Sequence, residues 1–439
     1  MTKKKKKSRI YIIWLMNLCL ITAVVAFFVW YESVPDVSPE KVLKTYMAHI
    51  SNREYEQMYE MIDAGISGNI SQEDFMKRNS AIYEGIGVDN IKIHITSYDK
   101  EQKEICYETS MDTVAGNVTF ENNVSFIQEK GTYKLVWSDS LIFPELDSTD
   151  KVKVSVTNAE RGQILDRNGR VLAGKGVASS VGVVPGKLEN RDDAISQLAD
   201  LLEMKVEDIE RKLSAKWVKE DSFVPLKTIP KVDELKLLSL EPDKETLDEK
   251  ERHEKLLEIP GVKISDIGIR EYPLGEAAAH LVGYVQNVTA EDLEEHDGEG
   301  YTSNSVIGKS GMEGLFEKEL KGQNGCSITI VDSNGNKKKI IVSTIVENGK
   351  DIKLTIDSNL QKELYEQFKD DKSCSVAMNQ YTGEVLALVS TPSYDNNDFI
   401  RGMSSEKWNA LNEDENKPMY NRFRQVWCPG STFKPIIAA

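Results

Sequence analysis

The side chains best suited to covalent chemistry in this sequence are a serine and a lysine three positions apart. Ser431 and Lys434 lie within the heptapeptide PGSTFKP at 429–435. On a helix, positions i and i+3 share one face, so the lysine amine can reach the serine hydroxyl. A neutral, partly desolvated lysine can accept the hydroxyl proton and so activate the serine. The pair predicts nucleophilic catalysis by Ser431 with Lys434 as its base.

The neighbouring residues predict the backbone that positions this pair. Pro429 and Gly430 form a tight turn, and Pro435 suits only the first turn of a helix, where its missing N–H costs little. Ser431 is therefore expected at a helix N-terminus, where backbone N–H groups and the helix dipole stabilise a developing oxyanion.

A Ser-x-x-Lys spacing is not specific by itself, and the chain contains a second example. Ser38 and Lys41 have the same spacing, but Ser38 precedes a helical pattern of apolar residues and is expected to cap that helix. The flanking proline and glycine residues distinguish Ser431 from this internal control.

Residues 1–31 predict a cytoplasmic basic tail followed by a transmembrane anchor. Five lysines and an arginine lie within 3–9, and residues 10–30 contain only Asn17 and Thr22 as clearly polar side chains. About 20 apolar residues span a hydrocarbon core of ~30 Å, and the flanking lysines favour a cytoplasmic N-terminus. We expect a single-pass protein of the cell membrane with its body outside the cell. A cleaved signal peptide is the alternative.

The composition of the body excludes several functions. The net charge is −16 although the N-terminus is basic, so a nucleic-acid partner is not expected. The five cysteines are widely spaced with no CxxC, and the five histidines show neither HxxxH nor HExxH spacing. No disulfide framework, metal site or cofactor is therefore expected.

Hydrophobic patterning predicts α+β segments throughout the body. Helical spacing at 38–62 is followed by alternating, strand-like runs at 91–99, 104–114, 117–129 and 132–143. From 151 we predict a strand, a hairpin turning at 167–169, and amphipathic helices over 187–257 broken near Pro225, Pro230 and Pro242. Strand-like segments are predicted at 261–273 and 280–288, and a hairpin is predicted over 327–343. Residues 351–368 are predicted to form a strand, an Asp turn and a helix. Residues 374–397 are predicted to form two strands joined by a Thr-Gly turn.

Together these motifs resemble the class B penicillin-binding proteins, membrane-anchored D,D-transpeptidases that cross-link peptidoglycan. PGSTFKP is similar to the nucleophile motif of that family. RGQILDRNG at 161–169 resembles the segment that opens its pedestal or dimerisation domain. Further matching segments are REYPLG at 270–275, HLVGY at 280–284, GKSGME at 308–313 and LTID at 354–357.

The resemblance implies a multi-domain α+β fold in four parts. These are the anchor at 1–31, a cone-shaped, nuclear-transport-factor-like α+β extension of the methicillin-resistance type at 36–147, a pedestal or dimerisation domain at 151–325, and the N-terminal part of a β-lactamase-like serine transpeptidase domain at 350–439.

The resemblance also implies a reaction. Ser431 would attack the penultimate D-Ala carbonyl of a pentapeptide stem, or a β-lactam ring, and form an acyl-enzyme. Lys434 would be the base, and the backbone N–H of Ser431 would be one oxyanion donor. The implied partners are peptidoglycan stem peptides, β-lactams, the membrane, and cell-division or elongation proteins.

The sequence departs from the family pattern in two respects. Trp427-Cys428 replaces a Tyr-Pro-like pair, which would alter the pocket rim. The family places Ser-x-Asn and Lys-Ser/Thr-Gly after the nucleophile, whereas only five residues follow Lys434 here. The look-alikes at 67–69 and 309–311 precede Ser431 and are interpreted as coincidences. We therefore expect a fragment or a prematurely ended reading frame with an incomplete transpeptidase domain.

Three other functions fit parts of the sequence. A non-catalytic, membrane-anchored cell-wall scaffold is the main alternative, because the catalytic domain is incomplete. A β-lactam sensor also combines Ser-x-x-Lys with an anchor, but sensors typically have several spans. A P-loop ATPase is disfavoured, because the glycine required five residues before Gly308 is replaced by Ser303.

Overall fold

The computed structural model describes residues 38–129, 132–239 and 243–439. The predicted membrane span at 10–30 lies outside these residues. Within the described ranges, no helix combines the length and the apolar character needed to cross a membrane.

The described residues form short helices and mostly antiparallel strands. The helices are α1 (Pro39–Ser51), α2 (Tyr55–Glu60), α3 (Gln72–Gly85), α4 (Arg191–Leu202), α5 (Val206–Leu213), α6 (Glu234–Leu237), α7 (Lys244–Glu258), α8 (Ala279–Val282), α9 (Ala290–Glu295), α10 (Gly311–Leu315), α11 (Glu317–Lys321), α12 (Ser358–Phe368), α13 (Asn397–Arg401), α14 (Ser405–Glu413) and α15 (Lys434–Ala438). The strands are β1 (Asp89–Asp99), β2 (Glu104–Thr113), β3 (Gly116–Glu129), β4 (Thr132–Leu135), β5 (Lys151–Thr157), β6 (Ile164–Leu165), β7 (Val171–Val183), β8 (Val224–Pro230), β9 (Val262–Glu271), β10 (Val285–Asn287), β11 (Val306–Gly308), β12 (Gly325–Val331), β13 (Lys337–Thr344), β14 (Ile352–Lys353), β15 (Ser373–Met378) and β16 (Val385–Thr391).

The first compact unit contains the described residues up to 157 together with 325–345. Helices α1–α3 cover an antiparallel sheet of order β1-β2-β3-β4. Helix α1 begins as predicted, because the Ser38 hydroxyl accepts the Lys41 backbone N–H at 3.3 Å and Pro39 occupies its first turn. The helix predicted over 38–62 is present as two helices, α1 and α2, and helix α3 was not predicted. The predicted meander is confirmed, except that the fourth strand ends at Leu135 and a 3₁₀ turn, Asp139–Leu141, follows it.

A second sheet of this unit combines strands that are distant in sequence. Its order is β13-β12-β5, and Ile328 and Ile330 of β12 are fully buried in the core shared with α1–α3. The predicted hairpin β12–β13 is confirmed, and its turn places Gly335 at φ +85°. The Lys338 ammonium bridges the carboxylates of Asp147 at 2.5 Å and Asp150 at 2.7 Å.

The second compact unit contains residues 158–324 and the described residues from 346 onward. The long strand β7 is its centre: β6 pairs with the start of β7, β9 pairs along it, and β8 pairs with its second half. The predicted β6–β7 hairpin is confirmed. Helices α4, α5 and α7 bury Leu198, Ile209 and Leu256 against this sheet.

The helices predicted over 187–257 are present as α4, α5, α6 and α7, but the strand β8 at Val224–Pro230 was not predicted. Pro225 and Pro230 do not break a helix there but lie within strand β8. Strand β8 is at the edge of the sheet and pairs only with β7. On its open side no neighbouring strand needs an N–H donor, so proline, which has no N–H, is tolerated there.

The strand-like prediction at 280–288 was also partly wrong, since residues 279–282 form α8 and only Val285–Asn287 is a strand. A short apolar run does not distinguish the two by periodicity.

The last part of the chain begins as predicted. Strand β14 leads to Asp357, whose carboxylate accepts the N–H groups of Asn359 and Leu360 and caps α12. The β15–β16 hairpin is also confirmed, with Gly383 at φ +74° in its turn. Helix α12 packs on β16, where Gln361 donates to the Leu388 carbonyl and accepts its N–H, both at 2.8 Å.

Candidate active site

The candidate nucleophile lies in the turn that leads into the last helix. Gly430 adopts φ +53°, and Gly430–Phe433 form one 3₁₀ turn that continues into α15, with Pro435 in its first turn. The expected helix start is confirmed in modified form, because Ser431 lies in a 3₁₀ turn and not in the α-helix itself. In a 3₁₀ turn, side chains at i and i+3 eclipse one another, so Ser431 and Lys434 are on the same side.

A backbone hydrogen bond fixes the spacing of the pair. The Lys434 N–H donates to the Ser431 carbonyl and closes the 3₁₀ turn. Both side chains are exposed. Among the described residues, neither the Ser431 hydroxyl nor the Lys434 ammonium has a hydrogen-bond or ion-pair partner. The structure therefore brings the two residues to one turn without a direct bond between their side chains.

The segment that approaches this turn is organised by Arg422, a residue that the sequence reasoning missed. Its side chain is buried, and the guanidinium donates to the carbonyls of Asn416 at 2.6 Å and Tyr420 at 3.1 Å. Its backbone N–H donates to the Ser390 hydroxyl at 3.0 Å, which ties the segment to strand β16. No local pattern marks an arginine that binds carbonyls so close in sequence.

Trp427 also contacts Arg422, within the segment that leads to Ser431. Its indole N–H donates to the Arg422 carbonyl at 2.8 Å, although more than half of the side chain is exposed. The sequence departure at Trp427 therefore places an aromatic side chain beside the approach to the nucleophile. Cys428 is exposed and unpaired, as are Cys106 and Cys374.

His280 joins the HLVGY motif to the segment before the nucleophile. Its Nε2 donates to the Pro418 carbonyl at 2.9 Å, and its ring meets Tyr394 edge-to-face at 5.1 Å between centroids. Asn421 donates from Nδ2 to the His280 carbonyl at 3.3 Å. Burial lowers the pKa of His280 to about 4, so the ring is neutral near pH 7. His280 therefore links two segments that are distant in sequence.

Glu313 of GKSGME is fully buried and brings three motifs together. It accepts Arg161 Nε at 2.9 Å and Arg270 Nε at 2.7 Å, from the RGQILDRNG and REYPLG motifs. The Arg161 guanidinium also lies 2.5 Å from Glu317. Burial opposes the charge on Arg161, but Glu317 and Glu313 outweigh it and raise its pKa. These motifs therefore form a buried ionic network that supports the fold and lacks exposed reactive groups.

Asp166 of the same first motif connects the β6–β7 turn to α12. Its carboxylate accepts the backbone N–H groups of Asn168 and Arg170 and the Ser358 hydroxyl, at 2.7, 2.8 and 2.7 Å. Burial alone would raise the pKa of Asp166, but the bonds from Ser358, Arg170 and Asn168 lower it below the ordinary value. The buried carboxylate thus remains ionised and holds the pedestal turn to the first helix of the last segment.

Sequence comparison matches three family descriptions to consecutive parts of the chain. Residues 38–150 match the NTF2-like N-terminal transpeptidase domain, 156–354 the penicillin-binding protein dimerisation domain, and 373–439 the penicillin-binding protein transpeptidase domain. These matches support a multi-domain α+β architecture with NTF2-like, dimerisation and transpeptidase parts.

Individual relatives agree with these matches. Penicillin-binding protein 3 of Bacillus subtilis is 37% identical over 92% of this chain and 59% of its own length. Peptidoglycan D,D-transpeptidase MrdA of Escherichia coli is 32% identical over 66% of this chain and 44% of its own length. A solved complex of the Helicobacter pylori penicillin-binding protein PBP2 with MreC has 26% identity and a TM-score of 0.46, covering 66% of this chain and 52% of that one.

The coverage and the order of the matched segments show which family this chain belongs to. The chain spans about half the length of the curated relatives it matches. Its matched segments follow one another from 38 to 439 and include the Ser431 turn and the buried Glu313 network. The chain belongs to the class B penicillin-binding protein family.

Proposed function

We propose that this chain acts in peptidoglycan synthesis as a D,D-transpeptidase, with Ser431 as nucleophile and Lys434 as general base. The observation that carries the proposal is the turn at 430–434, in which the Lys434 N–H donates to the Ser431 carbonyl and both residues lie on one side. Relatives named peptidoglycan D,D-transpeptidase support the substrate class.

The proposed reaction has two steps. The Ser431 oxygen attacks the penultimate D-Ala carbonyl and its proton passes to Lys434. The C–N bond to the terminal D-Ala then breaks, Lys434 returns the proton to the departing nitrogen, and an ester remains on Ser431. An amine of a second stem peptide then attacks the ester to form an amide, and its proton passes by way of Lys434 to the released Ser431 oxygen. The backbone N–H of Ser431 is proposed as one donor to the oxyanion. A β-lactam would form the same ester by opening its ring.

A fluorescent penicillin tests the proposal directly. We expect covalent label on the purified chain that is lost in Ser431→Ala and strongly slowed in Lys434→Ala. Ser38→Ala is the matched control, because Ser38 has the same Ser-x-x-Lys spacing but caps α1. Label that persists in Ser431→Ala, or that disappears equally in Ser38→Ala, would contradict the assigned nucleophile.

A non-catalytic scaffold is the second candidate, and one observation favours it. The Ser431 and Lys434 side chains are exposed and have no bonding partner among the described residues, whereas catalytic lysines act from desolvated sites. Absence of label on both the unmodified chain and Ser431→Ala would support the scaffold. Co-purification with cell-division or elongation proteins would then be the informative measurement.

The topology and the domain division are also proposals. We propose that 10–30 anchors the protein in the cell membrane, with 1–9 cytoplasmic and the body outside, and that the four parts are 1–31, 36–147, 151–325 and 350–439. Protease added to intact spheroplasts should digest the body and leave the anchored tail in the membrane fraction. Full protection of the body would contradict this orientation.

A further inference from the structure

The turn that carries Ser431 and Lys434 depends on its backbone for its position. Both side chains are exposed and make no hydrogen bond or ion pair among the described residues, so they do not attach the turn to the rest of the unit. The position of the turn is therefore set by the segment that precedes it. The connection of that segment to strand β16 runs through Ser390, Arg422 and Trp427.

The side chain of Arg422 is a buried cation that binds carbonyls in place of a carboxylate. In the part of the chain that the structure describes, no carboxylate lies within 4 Å of it. The guanidinium donates to three carbonyls, those of Asn416 at 2.6 Å, Tyr420 at 3.1 Å and Lys417 at 3.4 Å. A guanidinium has five donors in a fixed planar fork, and a lysine ammonium does not. The three carbonyls therefore fix the plane of the Arg422 side chain and the path of the loop around it.

The backbone of Arg422 connects strand β16 to Trp427. Its N–H donates to the Ser390 hydroxyl at 3.0 Å, and Ser390 lies on β16 opposite Cys374 of β15. Its carbonyl accepts the indole N–H of Trp427 at 2.8 Å. Arg422 therefore joins the β15–β16 hairpin on one side to Trp427 on the other.

Only three residues separate Trp427 from Ser431, and two of them restrict the backbone. The ring of Pro429 fixes its φ, which is −65°, and Gly430 adopts the left-handed φ of +53°. The chain between the indole and the nucleophile therefore has few free torsions. A change in the position of the Trp427 backbone would also move Ser431.

We propose that Arg422 and Trp427 are positioning residues for acylation, which place the Ser431 turn relative to strand β16. The proposal rests on the proposed D,D-transpeptidase function, because it concerns the same nucleophile. Attack requires the serine oxygen to lie about 3–3.5 Å from the carbonyl carbon, and a misplacement of ~1 Å can slow a reaction about 10²-fold. Loss of either anchor is therefore expected to slow the acylation step itself.

The kinetics of labelling by a fluorescent penicillin separate positioning from support of the fold. The labelling rate of the purified chain rises with penicillin concentration to a maximum, which measures acylation, while the final amount of label measures the folded fraction. Arg422→Lys keeps the charge but loses the planar fork, and Trp427→Phe keeps an aromatic ring but loses the N–H. We expect the maximal rate to fall about tenfold or more in each, at an unchanged half-saturating concentration. A smaller final amount of label with an unchanged maximal rate would mean a folding role only and would overturn the proposal.

Each variant has a matched control. Arg424→Lys changes the exposed arginine of the same 3₁₀ turn, Arg422–Arg424. Trp408→Phe removes an indole N–H that has no hydrogen-bond acceptor among the described residues. Both controls should be labelled like the unmodified chain, and Trp427→Phe serves if Arg422→Lys does not fold. A maximal rate in Trp427→Phe equal to that in Trp408→Phe would contradict the positioning role.

A second measurement does not depend on catalysis. The Lys434 N–H donates to the Ser431 carbonyl, so millisecond hydrogen exchange over 430–434, measured by mass spectrometry, reports how well the turn is ordered. We expect exchange about fivefold faster in Trp427→Phe than in Trp408→Phe, as for the loss of one hydrogen bond. If the unmodified chain is not labelled, the transpeptidase function fails and exchange alone decides the positioning role. Equal exchange in the two variants would overturn that role whatever the labelling shows.

Discussion

The side chain of Asn397 pairs with both backbone groups of Tyr272. Its Oδ1 accepts the Tyr272 N–H at 3.0 Å, and its Nδ2 donates to the Tyr272 carbonyl at 3.0 Å. Asn397 begins α13, in the segment that precedes the nucleophile, and Tyr272 belongs to the REYPLG motif. The buried Asn397 amide therefore makes the same two hydrogen bonds to Tyr272 that a neighbouring β-strand would make. It links two segments that are more than a hundred residues apart in sequence.

We predict that Asn397→Ala lowers the free energy of unfolding by about 1–3 kcal/mol. The substitution leaves the buried N–H of Tyr272 without a partner and removes one of the two hydrogen bonds that the Tyr272 carbonyl accepts, the other being from the Gly275 N–H. An unsatisfied buried group costs about that much. Urea denaturation measures the change. Asn409→Ala, at an exposed position on α14, is the control and should change stability by less than ~0.5 kcal/mol. Equal effects of the two substitutions would contradict the importance of the Tyr272 pairing.

Glu313→Gln should destabilise the second unit more strongly. Glu313 is fully buried between Arg161 and Arg270, and removal of its charge leaves Arg270 buried without a counter-ion. Breaking a buried ion pair in this way costs roughly 3–5 kcal/mol.

The measurement for Glu313 is the denaturant midpoint of the unfolding transition assigned to the second unit. Glu319→Gln provides the comparison, because Glu319 lies six residues along on α11 and is exposed. If Glu313→Gln unfolds at the same denaturant concentration as Glu319→Gln, the buried network does not stabilise the unit.

Because His280 is buried and neutral, we predict that the free energy of unfolding decreases in acid. Burial lowers the pKa of native His280 to about 4, with the Arg422 charge acting in the same direction, while an unfolded histidine titrates near ~6.5. Above pH ~6.5 the ring is neutral in both states, and its contribution to stability is complete. Between ~6.5 and 4 only the unfolded state gains the proton, so stability falls by about 1.4 kcal/mol per pH unit.

The pH dependence can be isolated by comparing His280→Gln with the unmodified chain. We expect the unmodified chain to be the more stable at pH 7.5, and this advantage to shrink by roughly 2–3 kcal/mol at pH 4.5. His296→Gln removes a half-exposed histidine near Glu299 and is the control for general effects of acid. A stability difference between the His280 variant and the unmodified chain that stays constant with pH would mean that His280 does not titrate as described.

Gly430→Ala tests whether acylation depends on the backbone conformation of the turn as well as on the presence of Ser431. Gly430 has φ +53°, and a Cβ there would meet no atom within 4 Å, so the cost is backbone strain of about 1–2 kcal/mol. We expect slower labelling by fluorescent penicillin and a loss of global stability no larger than this strain.

Gly85→Ala is the matched control for this substitution. Gly85 ends α3, also has open space around the position of a Cβ, and lacks a positive φ. Alanine there should be neutral or stabilising by about 0.4–1 kcal/mol. If Gly430→Ala is labelled as fast as Gly85→Ala, the conformation of the turn does not limit acylation.

Sequence analysis predicted local structure correctly where a residue type has only one physical role. Ser38 caps α1, as predicted. Asp357 caps α12 where a turn was predicted, and Gly383, at positive φ, lies in the predicted Thr-Gly turn of the β15–β16 hairpin. It failed at Pro225 and Pro230, because a proline breaks a helix but is tolerated in an edge strand. Only the pairing of β8 with β7 reveals that β8 is an edge strand.

Sequence alone predicts the family motifs, the turn that carries Ser431 and Lys434, and most of the hairpins, since each depends on neighbours within a few residues. The roles of the motifs depend on the tertiary fold, in which Glu313 is the buried partner of Arg161 and Arg270, and His280 lies against Pro418. Burial and charge pairing between distant segments depend on how the chain folds back on itself, and periodicity along the sequence carries no information about that.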